Sequence, residues 1–453
     1  MKPDHPRSCG ARRWRSAALI ALFLSFFAFS APPADAQGGI KVIRDVEIET
    51  LLHDFTNPIL DVAGISRGDV NLYIIQDKRL NAFVAGGLNL FLNTGLLMRT
   101  EHPGQLVGVI AHEVGHIAGG HLSRVGGARD RAVAEVVASF VLGAAAAVAG
   151  APALGTAIIA GGQTVAQGDL LRFSRGQEQA ADQAGVSYLR SIGVSSAGLA
   201  EFFDILDEQN LLSGSRINPY LRTHPLTRDR VRFVESQVLP LEEGDLGYPL
   251  EWKVRHERMV AKLTAFLGDP RRVLQNATGE DLTDRYERAI AYYRLPDLEK
   301  AVAEIDSLIA DHPDDPYFHE LKGQMLFENG RIDASIPPYR EAVRLNDAPL
   351  LQIGLARALI ESGNGEAGRE AIRYLKASLS EEPTNAGAWR LLGIAQGRAG
   401  DEAEASLSLA EWALLRGKDD DAKLHARRAE SRIGPNDPGW LQLQDILRAI
   451  EES

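Results

Sequence analysis

His112-Glu113-Val114-Gly115-His116 constrains this chain more than any other stretch. It follows the apolar residues 106–111, so the pair of histidines reads as part of a buried helix with both imidazoles on one face, one turn apart. Two neutral imidazoles in that arrangement can close on one metal ion, and Glu113 lies beside them. Zinc held by three protein ligands keeps a fourth position for water, whose pKa falls to about 7. A neighbouring carboxylate can then take its proton. A core helix carrying two hydrogen-bonded histidines would leave the same trace, so the pattern calls for a further ligand elsewhere.

Two stretches compete to supply it. His121 falls five residues after His116, and on a continuing helix it would sit about 180° around the axis from His112. Gly119-Gly120 can break the helix, which keeps metal contact open, but a polar cap or surface histidine is the preferred reading. Residues 173–182 have a helical pattern in which Glu178 and Asp182 share a face at i and i+4. A carboxylate from such a second helix completes a His₂Glu zinc site, and another one turn on can fix a ligand imidazole through its outer nitrogen. Taken alone, the two acids would also fit a solvated acidic face.

These motifs, together with Asn81-Ala82-Phe83, Gly95-Leu96-Leu97 and Thr223-His224-Pro225 followed by Arg230, resemble the M48 family of zinc metallopeptidases over residues 40–238. The resemblance implies zinc on His112, His116 and Glu178, with Glu113 as general base and Asp182 behind the ligands. It also places His224 near the cleft. Pro225 biases His224 towards an extended conformation, and two roles follow. His224 caps the zinc at rest and swings away, or it stabilises the oxyanion, with Arg230 as a possible helper. An extended substrate is expected to add to an edge strand at residues 88–92.

The rest of the chain gives these motifs a setting. Residues 1–36 read as a secretory signal: Lys2, Arg7, Arg12, Arg13 and Arg15 precede an apolar run at 17–29, and Ala34-Asp35-Ala36 fits a cleavage site. The sole cysteine, Cys9, falls within it, so no disulfide is expected afterwards. A formal net charge of −12 argues against nucleic acid as a partner. Residues 45–61 should form an amphipathic helix, and 70–75, 81–85 and 88–92 short strands, with Gly86-Gly87 as a turn. Residues 136–168 contain no charged residue, yet Gly150 and Pro152 interrupt them and small residues abound. A lid, plain buried helices and peripheral or spanning membrane contact remain open there.

From residue 281 the pattern changes to paired amphipathic helices. Turns at residues 296, 330, 363 and 400 and prolines at 313, 349 and 383 recur at about the 34-residue period of tetratricopeptide repeats. Trp389-Arg390-Leu391-Leu392-Gly393 matches the opening of that repeat, and four repeats with a closing pair through Trp440 are expected. Stacked repeats offer a curved surface for protein partners.

The expected fold is an α+β zincin-like metallopeptidase domain, mostly helical with a small sheet, followed by an all-α tetratricopeptide-repeat solenoid. The boundaries are a signal at 1–36, the peptidase at 37–250, a helical linker at 251–280 and the repeats at 281–453. The order signal, peptidase, repeats is similar to that of periplasmic members of the family. This implies a zinc endopeptidase of the bacterial envelope that acts on unfolded or misassembled envelope proteins and contacts the outer-membrane protein assembly machinery through its repeats. A chaperone or scaffold with minor hydrolysis is the competing class.

Overall fold

The computed structural model describes residues 41–86, 88–121, 174–212, 218–240, 245, 247–363 and 365–452. The expected signal and the uncharged run at 136–168 lie outside the described residues. Among the described residues, no helix is long and apolar enough to cross a membrane.

Helix α1 (Val46–Ala63) opens with the Asp45 carboxylate accepting from the Ile48 N–H, and closes at Gly64 with φ of 70°, a value glycine adopts without strain. It buries Ile48, Leu51, Leu52, Phe55, Ile59 and Leu60, the stripe expected of one helical face. Strands β1 (Val42–Ile43), β2 (Asn71–Ile75), β3 (Ala82–Ala85) and β4 (Asn89–Asn93) form a mixed sheet in the order β1-β2-β4-β3. β4 pairs parallel with β2 and antiparallel with β3.

That order corrects one expectation. Residues 88–92 are not an edge, because β4 is paired on both sides and each of its residues is buried. Among the described residues the edges are β1 and β3. A nearly continuous apolar run marks a strand buried on both faces, which is what β4 is. Leu90 and Leu92 point into the main core, while Phe91 stacks between Tyr73 and Phe83 at 4.9 Å on the opposite face.

After the short helix α2 (Thr94–Leu97) comes α3 (Pro103–Ala118), the central helix of the domain, with Pro103 in its first turn where a missing N–H costs nothing. Each residue from Pro103 to Ile117 is buried. Helices α4 (Arg175–Ser191), α5 (Ala197–Leu212), α6 (Pro219–Thr223) and α7 (Arg228–Gln237) surround it. α8 (Leu250–Leu267) then serves two cores: Met259 and Leu263 belong to the core of the N-terminal domain, whereas Ala265 packs with Tyr286 and Phe318 of the repeats.

Following α9 (Pro270–Asn276), helices pair in sequence: α10 (Leu282–Arg294) with α11 (Leu298–Asp311), α12 (Pro316–Glu328) with α13 (Ile332–Leu345), α14 (Pro349–Glu361) with α15 (Gly365–Glu381), and α16 (Ala386–Ala399) with α17 (Glu402–Leu415). α18 (Asp419–Glu430) and α19 (Trp440–Glu452) close the array. Gly330, Gly363 and Gly400 take φ of 72–89° at successive turns. The repeats pack directly on the N-terminal domain: buried Glu47 of α1 accepts from the Tyr286 hydroxyl at 2.9 Å and pairs with Arg258 at 2.7 Å and Lys262 at 3.1 Å.

Candidate metal centre

Two helices and one loop meet at the centre. α3 presents His112 and His116 one turn apart, and α4 presents Glu178 and Asp182 one turn apart. Ser174 starts α4 with a capping box, its N–H donating to the Gln177 side chain at 2.8 Å, so Glu178 stands in the first turn. The helices approach closely because glycines face the contact. A Cβ on Gly115 would lie 2.8 Å from the Ala181 carbonyl oxygen, and one on Gly185 would lie 3.2 Å from the Ala111 backbone. His224 follows α6, where Pro225 ends the helix and φ, ψ of −119° and 82° turn the imidazole inwards.

His112, Glu113, His116, Glu178, Asp182 and His224 are all fully buried. One ligand atom each from His112, His116, Glu178 and His224 lies within 4.8 Å of the others. His112 Nε2 is 3.1 Å from His116 Nε2, 3.4 Å from His224 Nδ1 and 3.6 Å from Glu178 Oε2. Glu178 Oε1 is 3.4 Å from His116 Nε2 and 3.2 Å from His224 Nδ1. Four ligands around a tetrahedral zinc are about 3.3 Å apart, so these spacings fit such an ion.

The outer atoms are held as tightly. Asp182 Oδ1 is 2.9 Å from His112 Nδ1. Arg230 of α7, only 2% exposed, donates from Nε and Nη2 to Asp182 at 2.6 and 2.8 Å, while Nη1 reaches Glu178 Oε2 at 2.5 Å. Its guanidinium thus engages both carboxylates, and Nη1 also donates to the Pro225 carbonyl at 3.1 Å.

Protonation follows from these neighbours. Burial works against an ionised Glu178, but His224, His116 and His112 hold it well below the usual carboxylate range. Burial likewise opposes an ionised Asp182, and Arg230 and His112 outweigh it. Burial keeps His116 neutral. An ionised carboxylate and a neutral imidazole are the forms that bind a metal. Glu113 differs, for burial pushes its pKa up despite His224 and His112. Neither of its oxygens has a hydrogen-bond partner, and His224 Nε2 faces it at 3.4 Å.

A buried, unbonded carboxylate lies beside this donor set of three histidines and a glutamate, and the family comparison bears on the same residues. The M48 peptidase family model matches residues 47–238, and a tetratricopeptide repeat model matches 286–348. The chain carries an M48 peptidase domain. The chain is a metalloendopeptidase with tetratricopeptide repeats. It is 25% identical over 84% of its length to the beta-barrel assembly-enhancing protease of Yersinia pestis, covering 79% of that protein. To the protein of the same name from Escherichia coli strain K12 it is 22% identical, over 88% of this chain and 82% of that one. A tetratricopeptide repeat protein of Parabacteroides merdae matches in structure at 15% identity, over 55% of this chain and 95% of that one. Its TM-score is 0.28, too low to carry an argument.

Two further residues lie against the donor set. His121 is neither a member of the four-residue cluster nor a surface histidine: it is buried, with Nδ1 3.0 Å from His116 Nδ1. α3 ends at Ala118, and Gly120 at φ of 58° turns the chain back, so extrapolation of the helix failed there. Tyr220 has no motif to announce it. Its ring stacks on His224 at 4.5 Å, and its buried hydroxyl has no hydrogen-bond partner.

Proposed function

We propose that the chain is an exported zinc endopeptidase of the bacterial periplasm, acting on misfolded or stalled outer-membrane proteins, with the repeats recruiting partners from the outer-membrane assembly machinery. The convergence of ligand atoms from His112, His116, Glu178 and His224 within 4.8 Å of one another carries the zinc assignment. Names of relatives that enhance β-barrel assembly support the substrate class. Bound zinc would polarise the scissile carbonyl and lower the pKa of water to about 7. The Glu113 carboxylate, made a stronger base by the burial that raises its pKa, takes the proton of the attacking water and passes it to the leaving amine. Asp182 and Arg230 keep His112 and Glu178 in place through both steps. Of the two sheet edges, β3 packs against α3 and so offers the substrate its strand.

His224 favours a resting form of this enzyme. Its Nδ1 stands at the fourth corner of the donor set and its Nε2 faces Glu113, so one ring covers both the open coordination position and the base. Substrate must displace it, and the α6–α7 loop that carries it is the element that moves.

The test is cleavage of an unfolded outer-membrane barrel protein by the full chain, with and without a zinc chelator, beside Glu113→Gln. Cleavage that needs zinc and fails in the variant supports the reading. Prevention of aggregation with no zinc-dependent cleavage would instead establish the chaperone.

A further inference from the structure

His112 and His116 each use one imidazole nitrogen towards the four-residue cluster, and each must have its other nitrogen satisfied. For His112 the partner is Asp182, 2.9 Å from Nδ1. For His116 it is His121, whose Nδ1 lies 3.0 Å from His116 Nδ1. A histidine that binds metal through Nε2 carries its proton on Nδ1, so His116 donates this bond and His121 Nδ1 accepts it.

The local chain is shaped to make the contact. α3 stops at Ala118, and Gly120 at φ of 58° folds the chain back towards the preceding turn. The His121 ring then lies over Gly119: a Cβ there would be 2.4 Å from His121 Nε2 and 2.7 Å from Cε1. Gly119 itself has an ordinary helical φ of −69°, so the ring, not the backbone, is what excludes a side chain. The other side of the turn is tied to α4, where Gln177 Nε2 donates to the His121 carbonyl at 3.3 Å. Gln177 is the capping-box residue next to Glu178. The turn therefore connects the end of one ligand helix to the start of the other.

We infer that His121 is a positioning residue of the metal centre: it accepts the Nδ1 proton of His116, fixing the tautomer and aim of that ligand as Asp182 does for His112. This rests on the zinc site proposed above. Losing such an outer partner typically weakens metal binding by about 10–100-fold.

Zinc affinity of the full chain, measured by competition with a chromogenic chelator, provides a readout separate from activity. His121→Phe keeps a ring without an acceptor and should lose about 10–100-fold. His121→Asn puts a carbonyl oxygen near the position of Nδ1 and should stay within about threefold of the parent. Gly119→Ala should fall with His121→Phe, because its methyl displaces the ring. Metal-free melting curves that overlay for parent and His121→Phe confirm that folding is not the cause of its loss. Parent affinity in His121→Phe overturns the inference, as does a loss in His121→Asn equal to that of His121→Phe. A parent protein that takes up no zinc overturns the site reading itself, a different result from a zinc-loaded parent with indifferent variants.

Discussion

Glu113 has no hydrogen-bond partner in the middle of the peptidase core, a position that costs stability and supplies reactivity. Glu113→Gln should keep zinc near one per chain while hydrolysis falls by about 10²–10⁴-fold, read from metal analysis and peptide turnover. The same variant should raise the melting temperature of the metal-free protein at pH 7. Because the folded pKa of Glu113 is raised above the ordinary value of 4.5, the folded state holds its proton longer than the unfolded chain does. Stability is then lost as pH rises from about 4.5 through the raised pKa, and the advantage of Gln should vanish below about pH 4. At His224 the two roles separate cleanly. His224→Ala in zinc-saturated protein should speed cleavage of a short peptide if the ring caps the site; a fall of about 10²–10³-fold would make it an oxyanion donor instead.

At the level of elements, the site depends on how closely α3 and α4 approach. Gly115 stands between the two histidine-bearing positions of the motif, and a methyl there meets the Ala181 carbonyl oxygen at 2.8 Å. Gly115→Ala improves helix propensity yet should destabilise by about 1–3 kcal/mol, because α4 must move outwards. That movement carries Glu178 away from the histidines, so zinc content should drop with the urea midpoint. Unchanged zinc in a destabilised variant would show that α4 can shift without disturbing its first turn.

Across the whole molecule, the repeats and the peptidase share buried charge. Lys262 and Arg258 of α8 both pair with Glu47 of α1, while Arg258 also reaches Asp315 and Arg44 reaches Glu382 in the repeats. Glu47→Ala should cost about 3 kcal/mol in chemical denaturation, because Lys262 and Arg258 stay buried with fewer partners. Asp45, 2.7 Å from Lys262, keeps the loss from being larger. A chain ending at residue 280 loses Tyr286, Asp315 and Glu382 from this cluster. It should still cut a short unstructured peptide, but melt below the full chain. Zinc uptake without peptide cleavage would mean that the repeats complete the active site.

Spacing along single helices was legible in the chain itself: the i, i+4 pairs His112/His116 and Glu178/Asp182 and the apolar stripe of α1 follow from 3.6 residues per turn, and the 34-residue rhythm of the repeats from the length of one helix–turn–helix unit. Such patterns act within one element, where sequence distance sets spatial distance. Relations between elements do not have that property. β4 became an interior strand because β2 and β3 both pair with it; its apolar run marks burial but not which strands lie beside it. Arg230 reached Asp182 and Glu178 because α7 packs beside α4. Each of these was decided by packing, which brings together groups that the sequence holds apart and lets a buried charge find the one partner able to satisfy it.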